Sequence, residues 1–219
     1  MNNVVVSSTS DKDLSHNIDE PHDEGLIRLI IRNKDEGAFN TLVNRYASRT
    51  YHLVLIFTLN HKLSKKVTQA VFLSVKALEA YDISLDFKTW LYALTFSISQ
   101  KYLKDPEAIN EGQVIDRDHE IQERMFPRGF DITEGLLYTF AHNSSEFIPL
   151  VEKALYELPA SYRVAVYLRD IEKMSLESIQ RVLGFSVSEI DFMIYNSRLY
   201  IIQQLSSYIK GCKGSITFN

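Results

Sequence analysis

From Ala38 to Glu111 the chain has no glycine, and from His22 to Asp105 it has no proline. Glycine and proline are the strongest breakers of regular helix, so a window this long without them favours uninterrupted helices. Apolar residues within it recur at helical spacing. Leu26, Ile27, Ile30 and Ile31 mark one helix, and Ala38, Phe39, Leu42, Val43 and Tyr46 a second. Val67, Val71, Phe72, Val75 and Leu78 mark a third, and Phe87, Trp90, Leu91, Leu94 and Ile98 a fourth. Four amphipathic helices can share one core.

Beyond this block the composition changes. Residues 105–145 carry Pro106, Gly112, Pro127, Gly129 and Gly135 among interleaved acids, and read as a linker. Phe126, Phe130, Leu136, Leu137, Tyr138 and Phe140 give it two readings, a short extra helix or a segment threaded through a partner's groove. A second helical block spans about 146–210. Val151, Ala154, Leu155 and Leu158 suggest its first helix, and Val164, Val166, Tyr167 and Leu168 its next. A short helix from Leu176 to Leu183 meets Gly184, which suits a left-handed C-cap. Ser186-Val-Ser-Glu189 then reads as a capping box that opens a last helix running to about Ile209. Helix, glycine turn, helix is the helix-turn-helix arrangement. The polar residues 1–22 read as a disordered tail, and 211–219 as a second tail. No segment reads convincingly as a strand.

Composition narrows the function. A net charge of −4 excludes a generally basic nucleic-acid coat, so any DNA contact must be local. The single cysteine, Cys212, excludes an intrachain disulfide and a four-cysteine zinc site, and fits a reducing compartment. His16, His22, His52, His61, His119 and His142 show no metal-ligand spacing, and no glycine-rich phosphate loop appears. No cofactor, metal or catalytic constellation is therefore expected, and no enzyme. No apolar run approaches the roughly 18 residues of a membrane span, and no signal-peptide order is present. The expected location is cytoplasmic.

Two pairs of segments then carry a resemblance. One is Val67-Thr-Gln-Ala-Val-Phe72 with Phe87-Lys-Thr-Trp-Leu-Tyr92, supported by Asp82 and by the earlier Ala38-Phe39, Leu42-Val43, Arg45-Tyr46 and Tyr51. The other is Leu158-Pro-Ala-Ser-Tyr-Arg163 with Leu168-Arg-Asp170, Ser175-Leu-Glu-Ser-Ile179 and Leu183-Gly184. In this order they resemble the extracytoplasmic-function (group IV) sigma factors of bacterial RNA polymerase. The resemblance implies an all-α protein of two small helical domains. Residues 23–104 would be the core-binding and promoter-melting domain (region 2-like), and 146–210 the helix-turn-helix domain (region 4-like). It implies core RNA polymerase and promoter DNA as partners. Gln69, Phe72, Leu73 and Lys76 would meet the coiled coil of the largest subunit, and Leu155, Leu158, Tyr162 and Leu168 the flap of the beta subunit. Phe87, Lys88, Trp90, Lys101 and Lys104 would face the melted strand, since unstacked bases bind aromatics beside cations. Ser186, Ser188, Asn196 and Arg198 would lie on the duplex-reading helix.

The departures from that pattern fall on the helix that would meet polymerase and where DNA would be. Ser64-Lys65-Lys66 replaces an acidic cluster, and Ala70 a glutamate. Where the family often has Thr-Val-Lys-Ser-Arg-Leu-x-Arg-Ala-Arg, this chain has Glu189-Ile-Asp-Phe-Met-Ile-Tyr-Asn-Ser-Arg198. Lost phosphate contacts weaken affinity, and each lost bidentate base contact removes about 1–3 kcal/mol of discrimination. Phe192, Met193 and Tyr195 read either as a surface for a protein partner or as a thicker core. The expectation is a sigma factor whose promoter address comes partly from another DNA-bound protein, an RNA-guided protein being one option. The alternatives are a sigma-like decoy that occupies polymerase or an anti-sigma factor without initiating, and a conventional helix-turn-helix regulator, which the acidic helix disfavours.

Overall fold

A computed structural model describes residues 22–81, 84–104 and 147–211, with side chains of the last segment described over 150–205. The expected linker 105–145, the N-terminal tail apart from His22, the C-terminal tail beyond Gly211, and Asp82 lie outside the described residues. No strand occurs among the described residues.

The helices begin where local chemistry lets them. Helix α1 spans Asp23–Asn33 and α2 spans Glu36–Thr58. The Asp35 carboxylate accepts from the Ala38 amide at 2.7 Å and so satisfies one of the orphan donors of α2. Helix α2 is longer than the spacing of its first apolar residues suggests. It takes in the apolar run from Tyr51 and buries Leu53, Val54, Leu55 and Ile56. It stops at Leu59 in the left-handed region (φ 53°). Asn60 then caps α3, His61–Lys76, by accepting from the Leu63 amide at 2.9 Å. Asp86 caps α4, Phe87–Leu103, through the Thr89 amide at 2.9 Å.

In the second group α5 spans Phe147–Glu157 and α6 Ala160–Val166. The last helical turn widens to a π-turn over Tyr167–Ile171, closed by the Glu172 amide on the Tyr167 carbonyl. The chain reverses through Lys173 at φ 55°. Helix α7, Leu176–Leu183, follows a Ser175 cap and ends at Gly184, φ 77°. Helix α8 spans Val187–Gly211. The capping box is present at its start. The Glu189 carboxylate accepts from the Ser186 amide at 2.7 Å, and the Ser186 hydroxyl accepts from the Glu189 amide at 3.3 Å.

Helices α1, α3 and α4 pack around α2, while α5, α6 and α7 pack on α8. The groups are not separate. Helix α4 packs on α7 and α2 on α6, so one apolar cluster runs from Leu26 through Val54, Leu91 and Tyr167 to Leu205. Leu168 is wholly buried in it.

Two changes test this packing. Leu168→Ala should lower unfolding free energy by about 2–5 kcal/mol, the usual cost of a buried leucine. Asp86→Ala should lower it by about 1 kcal/mol through the lost cap. Urea titration followed by circular dichroism measures both; an unchanged midpoint for Leu168→Ala would place that side chain outside the core.

Candidate nucleic-acid and protein interface

The third helix presents one face outward. Gln69, Leu73 and Lys76 are exposed at helical spacing, with Leu73 59% accessible. Lys65 and Lys66 are also exposed. Lys76 is held in place by Glu36 of α2 at 2.8 Å and lies over the Phe39 ring at 5.4 Å. Phe72, expected on the same contact face, points the other way and is buried, because it falls on the core side of α3 with Val71 and Val75. It is removed from the contact set.

Leu155, Leu158 and Leu168 need the same correction. All are buried in the shared core, so they hold helices together and present no surface. Tyr162 is half-buried, and its carbonyl accepts the Ser197 hydroxyl of α8.

At the start of α4 an aromatic cluster forms. Phe87 meets Tyr46 edge-on at 5.4 Å, and Trp90 meets Tyr81 edge-on at 5.5 Å. Phe87 is fully enclosed and so presents no surface to DNA, which corrects its place among the DNA-facing residues. Trp90 stays half-buried. Lys101 and Lys104 are exposed near the end of α4.

Lys88 is occupied by the other helical group. Its ammonium lies 2.8 Å from the Glu172 carboxylate and donates to the Glu172 carbonyl at 2.6 Å. It also lies 5.8 Å above the Tyr92 ring. The Glu172 side chain is only 5% exposed. Tyr92 and Tyr167 are buried beside it, and neither hydroxyl makes a hydrogen bond of normal geometry. Burial first, and then the Glu172 charge, push both phenols far above their ordinary range.

Arg163 makes the second tie between the groups. Its Nε donates to the Ile56 carbonyl at 2.8 Å and its Nη2 to the Phe57 carbonyl at 3.3 Å. Nη1 donates to the carbonyls of Leu158 and Tyr156. The carbonyls of Ile56 and Phe57 belong to the last turn of α2, where no following helical amide can donate to them. Arg163 thus caps a helix of the other group. Burial pulls the guanidinium below its ordinary pKa.

The helix that would enter a major groove is acidic and apolar on its open side. Glu189 and Asp191 are exposed, as are Phe192 (60%) and Tyr195 (62%). Leu199, one further turn on, is exposed too. Met193 departs from this group: it is buried, being on the core face with Ile190, Ile194 and Ser197. Ser186 and Ser188 are exposed, but the Ser186 hydroxyl is engaged by Glu189. The Asn196 amide folds back to the Phe192 carbonyl at 2.7 Å. Arg198, the one arginine retained from the family pattern, is forked on Asp170, with Nε to Oδ2 at 3.0 Å and Nη2 to Oδ1. Those hydrogen bonds hold its pKa above the ordinary value.

Sequence reasoning found the exposed α3 stripe, the capping box and the apolar recognition helix. It did not find Arg163 or Glu172 as inter-helix ties. Arg163 was visible only as part of a motif, and nothing in its spacing points to α2. Among the described residues no cluster of acidic, histidine or cysteine side chains could hold a metal ion, and no helix is long and apolar enough to cross a membrane.

Comparison with known proteins agrees with this geometry. The family described as Sigma-70, region 4 matches residues 149–201, which contain the helix-turn-helix. The chain is 24% identical over 178 residues to the extracytoplasmic-function sigma factor SigW of Bacillus subtilis, covering 80% of this chain and 92% of that protein. It is 24% identical over 180 residues to the sigma-E factor of Escherichia coli, covering 82% and 93%. The fold is shared with CnrH, solved in complex with the cytosolic domain of CnrY (TM-score 0.56, 19% identity, 84% of this chain and 97% of that one). It is also shared with the sigma factor RpoE of Bartonella quintana, solved with the anti-sigma factor NepR (TM-score 0.50, 15% identity, 77% and 96%). The relatives are initiation factors rather than enzymes, and over most of its length, with both helical groups in order, this chain is similar to the extracytoplasmic-function sigma factors of RNA polymerase.

Proposed function

We propose that the chain binds core RNA polymerase and directs initiation at promoters whose address is supplied in part by another DNA-bound protein, an RNA-guided one being within this class. The carrying observation is the open side of α8. It offers Glu189, Asp191, Phe192 and Tyr195, and its remaining arginine is neutralised by Asp170. A helix of this character repels phosphates and gains little from base edges. Exposed aromatics are what protein interfaces favour at their centres.

Residues 23–104 serve as the core-binding and melting domain and 146–210 as the helix-turn-helix domain. In the first, the exposed stripe Gln69–Leu73–Lys76 is the contact for the coiled coil of the largest subunit. Its lysine-rich upstream turn replaces the acids usual in the family, so this contact rests more on Leu73. Tyr162 is the remaining candidate for the beta flap. Trp90, Lys101 and Lys104 are available to the melted strand, and Ser188 to duplex DNA. Phe192 and Tyr195 are the contact for the recruiting protein or for an anti-sigma factor, and the site of action is the cytoplasm.

A decoy that occupies polymerase without opening DNA is the second reading. It is favoured by Lys88, a cation of the melting helix that is already engaged by Glu172.

Leu73→Glu should weaken the complex with core polymerase at least about tenfold, in line with loss of a central apolar contact, while leaving thermal stability unchanged. Size-exclusion and fluorescence titration measure it, and wild-type affinity in the variant would remove α3 from the interface. Footprinting of the chain with core polymerase alone should show no sequence-specific protection upstream. Such protection would mean that this chain reads its own promoter. Permanganate reactivity at the start site with a recruiting protein present separates an initiating factor from a decoy, which would give none.

A further inference from the structure

We infer, on the reading that the α3 stripe meets core polymerase, that α3 seats an acidic helix of the largest subunit, and that Lys62, Lys65 and Lys66 select it.

Helix α3 carries four lysines and no acid, in a chain whose net charge is −4. Lys62, Lys65 and Lys66 stand in its first two turns, and all three are exposed. That placement runs against local preference. The first turn of a helix bears the positive end of the dipole and favours acids. Helices α1, α2, α7 and α8 each place an acid there. Helix α3 does the reverse. A residue choice that breaks a local rule marks a place where something other than the fold sets the residue.

The exposed positions also have a period. Lys62, Lys66, Gln69, Leu73 and Lys76 follow one another by steps of four, three, four and three residues. That is the spacing along which a second helix can lie. Leu73 is the apolar centre of the stripe, 59% accessible. On one side of it Glu36 pairs with Lys76, which lies over the Phe39 ring. On the other side stand the three lysines. Lys66 and Lys62 precede Leu73 by about two and three turns, roughly 10 and 16 Å along the axis. The matching helix has an apolar seat for Leu73 and carboxylates about that far to one side of it.

Nucleic-acid phosphate is the other anion that such lysines could meet. The exposed side of α3 has no aromatic on which an unstacked base could rest. A duplex would set Leu73 against phosphates and leave it unburied. A protein helix satisfies the leucine and the lysines together.

Charge at such a seam chooses partners by repulsion as well as attraction. Lysines here accept carboxylates and reject a helix that is basic at the same height. The acids usual at this place in the extracytoplasmic-function family would do the opposite. Lys62, Lys65 and Lys66 thus match this chain to a different surface from the one that suits those acids.

The test is charge reversal in the full chain, Lys65→Glu combined with Lys66→Glu, against core polymerase from the chain's own source. Acids suit the early turns of a helix, so thermal stability should hold or rise. Affinity should nevertheless fall about tenfold or more, while Lys65→Arg with Lys66→Arg should keep it. Tighter binding by the glutamate variant would mean a basic seat, and unchanged binding an uncharged one; either overturns the acidic helix. Carbodiimide, which joins an amine to a carboxylate only when the two are in contact, gives a second readout in the parent complex. Mass spectrometry should find Lys62, Lys65 or Lys66 joined to Asp or Glu of the largest subunit. A stable complex with no such product also overturns the acidic helix. Leu73→Glu separates this inference from the reading beneath it. If Leu73→Glu weakens the complex and the lysine reversal does not, α3 meets polymerase at a seat that is not acidic. If neither weakens it, or if the parent forms no complex, the α3 contact and its acidic partner fall together.

Discussion

A guanidinium buried without a carboxylate partner sits where the two helical groups of this protein meet. Four main-chain carbonyls receive it, two from the end of α2 and two from the stretch joining α5 to α6. An isolated buried cation would be very costly. Here the cost is offset because the acceptors are themselves orphans. Removing either side strands the other, so the end of α2 and the start of α6 are fixed relative to each other. Helix α4 packs on α2, and α7 follows α6. Their contact, with Lys88 on Glu172, is a consequence of that first constraint.

Helix periodicity explains why residues on functional motifs turn up inside the protein. A motif position is conspicuous in a sequence whether its side chain packs or protrudes. Phe72 and Leu73 are adjacent, yet one is core and the other is the most open apolar side chain of α3. Phe192 and Met193 split in the same way on α8. A helix turns about 100° per residue, so adjacent residues at the edge of a buried face can fall on opposite sides of it. The readable quantity is the stripe, not the motif. For α3 the open stripe is Gln69–Leu73–Lys76, and for α8 it is Phe192–Tyr195–Leu199.

Much of the fold was legible in this way. The helices of both groups announced themselves by apolar spacing, and Ser186 with Glu189 and Gly184 announced a turn by their local chemistry. These signals act over three or four residues. The full reach of α2 was harder to see, because an all-apolar run such as Val54-Leu-Ile-Phe57 has no periodicity of its own. What stayed hidden acts over distance. No local rule ties Arg163 to Ile56 or Glu172 to Lys88, since each partner alone looks like an ordinary charged side chain. The wide turn that aims Glu172 inward has no signature in composition either.

Two features of this chain therefore have one physical character. In α8, acids and aromatics stand where cations would grip phosphate, and Arg198 is neutralised by Asp170. In α4, the cation at the head of the helix is neutralised by Glu172. Positive charge is therefore both fewer here and, where it remains, engaged. What remains at these two places is paired with a carboxylate of the same chain, half-exposed for Arg198 and Asp170 and more enclosed for Lys88 and Glu172. A cation already paired with a carboxylate of the same chain adds little to a non-specific hold on DNA, since that hold comes from displaced counterions. The exposed aromatic stripe of α8 is instead of the kind that protein interfaces favour at their centres.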